Sequence, residues 1–255
     1  MMIAINKKYV NEIPLLEIVQ QVNLNKSLPT IIYFHGITSA KEQNLAQAYL
    51  LAEKGYRVLL PDSLHHGERD TIKDPEKIQY DFWKIIFTSV KELKTLYDWL
   101  NDEGLLENER LAIAGTSMGG ITVAAALTQY DFIKTAGIMM GTAKLGEMSN
   151  YLLDQIEKQG IKLPFKEEEL QQLKEQIRKI DLSEQIDTLK NRPLFIWHGD
   201  ADVVVPYRLT KAFVDQLKVS NYPEENYQFI TEKDRDHKVS RVAMLQLRDW
   251  IVKHL

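Results

Sequence analysis

Short apolar runs rich in β-branched and aromatic residues alternate along this chain with longer stretches whose apolar residues recur every three or four positions. That is the pattern of strands joined by helical crossovers, and it predicts an α/β fold on a mostly parallel, twisted sheet flanked by helices. The runs that read as buried strands are Thr30 to Phe34, Arg57 to Leu60, Leu111 to Ala114, Thr135 to Met140, Pro193 to Trp197 and Tyr227 to Thr231. Phe82, Ile86, Val90, Leu93, Tyr97 and Leu100 mark the apolar face of one long helix, and Leu45, Tyr49 and Ala52 mark a shorter one before Gly55. Nearer the start, Met2 to Ile5 and Leu15 to Val22 read as antiparallel edge strands.

The rhythm breaks between Gly146 and Lys190, where no strand pattern occurs. Leu152, Leu153 and Ile156, then Leu170, Leu173, Ile177 and Ile180, predict two amphipathic helices separated by Gly160 and Pro164. This 146–190 block is expected to be a small helical insertion. It is either a lid over one edge of the sheet or an elaborated crossover covering sheet surface. Residues 1–255 are expected to form a single domain around it.

Composition narrows the functional classes. With 44% hydrophobic and 27% charged residues the chain can bury a full core. A formal charge of −4 gives no electrostatic reason to bind nucleic acid. The absence of cysteine excludes disulfides, thiolate catalysis and cysteine-ligated zinc. Asn6, Lys7 and Lys8 interrupt what would have to be a signal core, and no apolar run reaches the roughly 18 residues of a membrane span. A cytoplasmic protein acting on a small molecule, with no membrane partner, is the expectation; the oligomeric state is not legible.

The strongest chemical signal is Gly115-Thr116-Ser117-Met118-Gly119, which follows the run Leu111 to Ala114 and precedes an alanine-rich, helix-compatible stretch. This G-x-S-x-G pattern between strand and helix is that of a nucleophile elbow. A serine there sits on a sharp turn, and its flanking glycines let strand and helix approach. The same turn puts the Met118 N–H at a helix start, where it is suited to stabilise an oxyanion.

A serine hydroxyl needs a base. Of the six histidines, His237 alone lies in the polar loop between the last strand and the final helix, where the order serine, acid, histidine puts it. Asp200 and Asp202 compete as its carboxylate partner, since both follow the strand Pro193 to Trp197. The loop Phe34-His35-Gly36-Ile37-Thr38 is the natural source of a second oxyanion donor, assigned to the Ile37 N–H, with His35 and Gly36 as candidates for the substrate pocket. A loop-fixing role competes for His35. Adjacent His65 and His66 invite a metal reading, but no neighbouring ligands complete a site, so no metal is expected.

Together these residues resemble the α/β-hydrolase family, and within it the small bacterial esterases of the prolyl-oligopeptidase and dienelactone-hydrolase-like branch. The resemblance runs from about Thr30 to the end. It rests on His35-Gly36, on Pro61-Asp62 followed by His66-Gly67-Glu68-Arg69, on the elbow, and on His198-Gly199-Asp200-Ala201-Asp202 through Val205-Pro206. In such proteins the acid lies three residues after the glycine of the last motif, which implies Asp202. One departure stands out: relatives often carry a glycine shortly before the histidine, whereas this chain has Lys233-Asp234-Arg235-Asp236-His237.

The resemblance implies a cofactor-free serine carboxylesterase that forms an acyl-enzyme on Ser117 from short acyl esters. Thioesterase or acyltransferase chemistry would use the same side chains, and a catalytically silent binding module is the alternative of a different class.

Overall fold

The computed structural model describes residues 1–70, 75–160 and 165–255. Its sheet has eight strands: β1 (Ile3–Val10), β2 (Ile13–Gln20), β3 (Leu28–Phe34), β4 (Arg57–Pro61), β5 (Leu106–Thr116), β6 (Ile133–Met139), β7 (Leu194–Gly199) and β8 (Tyr227–Glu232). They lie in the order β1-β2-β4-β3-β5-β6-β7-β8. The pairs β1/β2 and β2/β4 are antiparallel and every other pair is parallel.

The helices are α1 (Leu45–Ala52), α2 (Pro75–Tyr80), α3 (Phe82–Asp102), α4 (Met118–Gln129), α5 (Leu145–Lys158), α6 (Glu167–Arg178), α7 (Tyr207–Val219) and α8 (Arg241–His254). Alternation along the strands sorts the core onto two faces. Ile32, Phe34, Ile113 and Ile196 point to the side covered by α3, α4 and α7. Ile31, Tyr33, Ala112, Ala114, Phe195 and Trp197 point to the side covered by α1 and α8. Parallel strands covered on both faces have no polar side, which is why they read as unbroken apolar runs. In α3 the side chains of Ile85, Ile86, Leu93 and Leu96 are fully buried. Each such burial stabilises the fold by about 1.5–3 kcal/mol before ordering costs are counted.

The edge strand β1 extends five residues beyond the predicted Ile5. Its positions alternate in exposure through Asn6, Lys7 and Lys8. An edge strand tolerates charge on its open side, so charges that look like a break are part of the strand. Likewise β5 begins at Leu106 rather than Leu111, through the polar residues Glu107 to Arg110. Its pairing with β3 shifts register between Leu28 and Thr30. Between β6 and β7 lie α5 and α6, the two helices that the periodicity predicts, followed by short 3-10 turns at Leu182–Glu184 and Ile186–Leu189. Gly160 ends the first helix with a positive φ of 69°. Pro164 lies outside the described residues.

Because β3 to β8 run parallel, their carboxyl ends share one edge of the sheet. The loops that follow β3, β5, β7 and β8 carry Ile37, Ser117, Asp202 and His237 respectively.

Candidate active site

Ser117 sits between β5 and α4 at φ 57° and ψ −118°, a conformation that L-residues rarely adopt. Its neighbours explain how the turn is accommodated. A Cβ added to Gly115 would meet the Gly119 carbonyl oxygen at 2.4 Å, and one added to Gly119 would meet the Phe34 carbonyl oxygen at 2.1 Å. No larger residue fits at either place. The Ser117 N–H donates to the Met139 carbonyl at 2.9 Å, which ties the turn to β6.

The turn aims the hydroxyl at His237, whose Nε2 lies 2.8 Å from Ser117 Oγ. On the other side of the ring, Nδ1 lies 2.6 Å from Asp202 Oδ2. Asp202 Oδ1 accepts the backbone N–H groups of Val204 and Val205 at 2.9 and 3.1 Å, so both carboxylate oxygens are held. Burial pushes the Asp202 carboxyl up. Hydrogen bonds from His198 and His237 more than offset that, leaving it well below the usual carboxylate range and ionised.

Asp200 is elsewhere. Its exposed carboxylate accepts the Asp234 N–H at 2.6 Å, which braces the histidine loop from outside. Asp234 has a positive φ of 55°. This is a left-handed conformation, which aspartate tolerates better than most residues. The loop, without a glycine shortly before its histidine, still brings His237 to Ser117.

The loop after β3 passes close to the serine because Gly36 has no side chain. A Cβ there would lie 3.4 Å from Ser117 Cβ. Among the described residues, neither the Ile37 nor the Met118 N–H donates to a protein acceptor, and both residues line the same cavity as Ser117. His35 does not line that cavity. It is fully buried, with Nδ1 2.7 Å from the Gly36 carbonyl and Nε2 accepting the Ser63 N–H at 3.0 Å. Its candidacy for the substrate pocket is therefore corrected to that of a loop brace. Gly36 contributes proximity to Ser117 rather than cavity wall.

The Pro61 to Arg69 motif, which sequence alone leaves without a role, is the second brace. Asp62 accepts the N–H groups of Lys41 and Glu68 and the Lys41 ammonium. Gly67 packs where any Cβ would collide with the Asp62 carboxylate. The chain so folded places His66 Nε2 to accept the Thr38 N–H at 3.1 Å. His66 thus fixes the residue next to Ile37. His65 instead pairs with Asp81 at 3.0 Å, so the two rings point apart.

Helix α5 borders the site. Met148, Leu152 and Ile156 face the cavity, which has a volume of about 240 Å³. The Tyr151 hydroxyl donates to the Val203 carbonyl at 2.7 Å, joining this helix to the loop that carries Asp202. Among the described residues no helix is long and apolar enough to cross a membrane.

With this geometry in view, the model of the prolyl oligopeptidase family matches residues 43–255. The chain belongs to the prolyl oligopeptidase family. It is 44% identical over 256 residues to the Putative esterase YitV of Bacillus subtilis (strain 168), with all of both chains covered. It is 28% identical over 205 residues to Esterase YjfP of Escherichia coli (strain K12), covering 80% of this chain and 81% of that one. Among solved structures, TT1662 from Thermus thermophilus superimposes with a TM-score of 0.75 at 18% identity, covering 98% of this chain and 99% of the other. The fold is that of the α/β-hydrolases, as the sequence resemblance implies. Family membership and the two relatives support hydrolase chemistry.

Proposed function

We propose that this prolyl oligopeptidase family member is a serine carboxylesterase that hydrolyses short acyl esters through an acyl-enzyme on Ser117. The observation that carries the reading is the unbroken chain from Ser117 Oγ through His237 to Asp202, with links of 2.8 and 2.6 Å. An isolated serine hydroxyl is too weakly nucleophilic to attack an ester at neutral pH, and this arrangement removes that barrier.

In this reading Ser117 Oγ attacks the acyl carbonyl carbon while His237 Nε2 takes the hydroxyl proton. The negative charge that develops on the carbonyl oxygen is met by the Ile37 and Met118 N–H groups, which need no reorganisation because two buried histidines and the α4 N-terminus hold them. Asp202 keeps the imidazole in the tautomer with its proton on Nδ1 and stabilises the imidazolium. Collapse of the tetrahedral intermediate breaks the bond to the alcohol oxygen, which leaves with the proton from His237. Water then attacks the acyl-enzyme, giving its proton to the same imidazole. The acid departs and Ser117 recovers its proton from His237. The names of the relatives support an ester over other acyl substrates.

The test is hydrolysis of p-nitrophenyl butyrate by the wild-type protein and by Ser117→Ala. The wild-type protein is expected to turn the ester over and the variant to lose at least about 10⁴-fold in kcat. Equal rates would overturn the reading.

A further inference from the structure

Among the described residues, the cavity beside Ser117 lies away from His237. Ile37, Met118 and Ser117 line it together with Phe82, Leu152 and Val205, whereas His237 is not among its described lining residues. The His237 side chain is instead 20% exposed, so its open side faces solvent. In ester hydrolysis the leaving alcohol must receive its proton from that imidazole, so it sits on the histidine side. The acyl chain then extends the opposite way, along the oxyanion donors and into the cavity.

We propose that this enzyme selects its substrate by the acyl chain and hardly by the alcohol, taking straight aliphatic acyl groups of about four to eight carbons, with Phe82 and Leu152 setting the length limit. The inference rests on the esterase reading of the site.

Three observations set the class and the limit. First, the wall is apolar: Met148, Leu152 and Ile156 of α5 face Phe82 of α3. Second, the volume is small. A methylene occupies about as much space as a water, roughly 30 Å³ in the liquid, so 240 Å³ matches a chain of about eight such groups. Third, side chains of two kinds bound the cavity away from Ser117. Phe82, Leu152 and Ile156 also line a second cavity of about 40 Å³ lying behind them, and so form a partition between the two spaces. Gln79, Gln155 and Gln159 carry amides at the same cavity, and an alkyl chain pushed against them would cost them their hydration.

The experiment measures kcat/KM over p-nitrophenyl esters from acetate to dodecanoate, and over butyrate esters of ethyl, butyl, isobutyl and hexyl alcohols. Each methylene added within the cavity is expected to raise kcat/KM about threefold to fourfold, with a maximum near six carbons and a fall of at least about tenfold by ten carbons. The alcohol series is expected to vary less than about fivefold.

Leu152→Ala opens the partition and is expected to raise the ratio of decanoate to butyrate turnover at least about tenfold. Leu152→Phe is expected to move the optimum to shorter chains. Because each profile is a ratio within one enzyme, partial loss of folded protein cancels. An active enzyme with a flat acyl profile, a steeper dependence on alcohol than on acyl group, or unchanged profiles in both Leu152 variants would overturn the proposal alone. Absence of turnover with every ester, together with an unreactive Ser117, would overturn the esterase reading and this inference with it.

Discussion

His198 Nε2 lies 3.0 Å from Asp202 Oδ2, the same carboxylate oxygen that bonds His237. The Val205 carbonyl lies 2.9 Å from the same nitrogen. A carbonyl oxygen only accepts, so Nε2 carries the proton and is shared between the two acceptors. His198 is fully buried and does not touch the serine's cavity. It is a positioning residue: it fixes the carboxylate from behind while the Val204 and Val205 amides hold the other oxygen.

Replacing it by phenylalanine keeps an aromatic ring, somewhat larger than imidazole, and removes the donor. His198→Phe is expected to lower kcat by about tenfold to a hundredfold while KM changes less than about twofold, because the hydrogen bond acts on the orientation of His237 rather than on substrate. Steady-state kinetics beside a thermal melt checks this. A loss of kcat that only tracks the fraction of unfolded protein in the melt would mean that the ring serves packing alone.

The two neighbouring aspartates separate cleanly. Asp202→Asn leaves the geometry in place but no longer stabilises the imidazolium, and about a 10⁴-fold loss in kcat is expected. Asp200→Asn weakens only the outer brace at Asp234, and a loss below about tenfold is expected. Comparing the two kcat values decides the assignment, and a larger loss in Asp200→Asn would reverse it.

The elbow glycines are expected to be intolerant for a steric reason. Gly119→Ala places a methyl 2.1 Å from the Phe34 carbonyl oxygen, which is backbone and cannot rotate away. A destabilisation of about 2–4 kcal/mol follows, with displacement of the Gly36 loop. Urea denaturation measures the first, and loss of activity in the folded fraction reports the second.

The braces predict a pH dependence of stability. Burial lowers the His35 pKa from 6.5 to about 4. Between those values the unfolded chain binds a proton that the folded chain does not, so this contribution is full above about pH 6.5 and declines as the pH falls to about 4. His66, also lowered chiefly by burial, acts in the same sense. Asp202, held below its ordinary 3.8, adds a loss only at lower pH. Urea midpoints between pH 7 and 4 are expected to fall. His35→Asn should flatten the slope by up to about 1.4 kcal/mol per pH unit. An unchanged slope would assign the acid sensitivity elsewhere.

Much of this was legible before any coordinates. The elbow, the place of His237 in chain order and the strand rhythm depend on local rules of steric fit and periodicity, and Ser117, His237 and the central strands lie where those rules put them. What was not legible depends on pairing across distance. Sequence spacing does not separate Asp200 from Asp202, because only the fold decides which carboxylate meets the imidazole. Nor does it give His35, His66 and His198 their bracing roles, since Ser63, Thr38 and Asp202 reach those rings through tertiary contact. The charged part of β1 was obscured because strand rules for buried sheets do not apply at an open edge.

The most direct measurement is to treat the protein with a fluorophosphonate and map the adduct by peptide mass spectrometry. One equivalent attached to Ser117, with activity lost in proportion and no labelling in His237→Ala on the same timescale, is the expected result. Full inactivation with Ser117 unmodified, or labelling that is indifferent to the loss of His237, would contradict the claim that the imidazole makes this hydroxyl reactive.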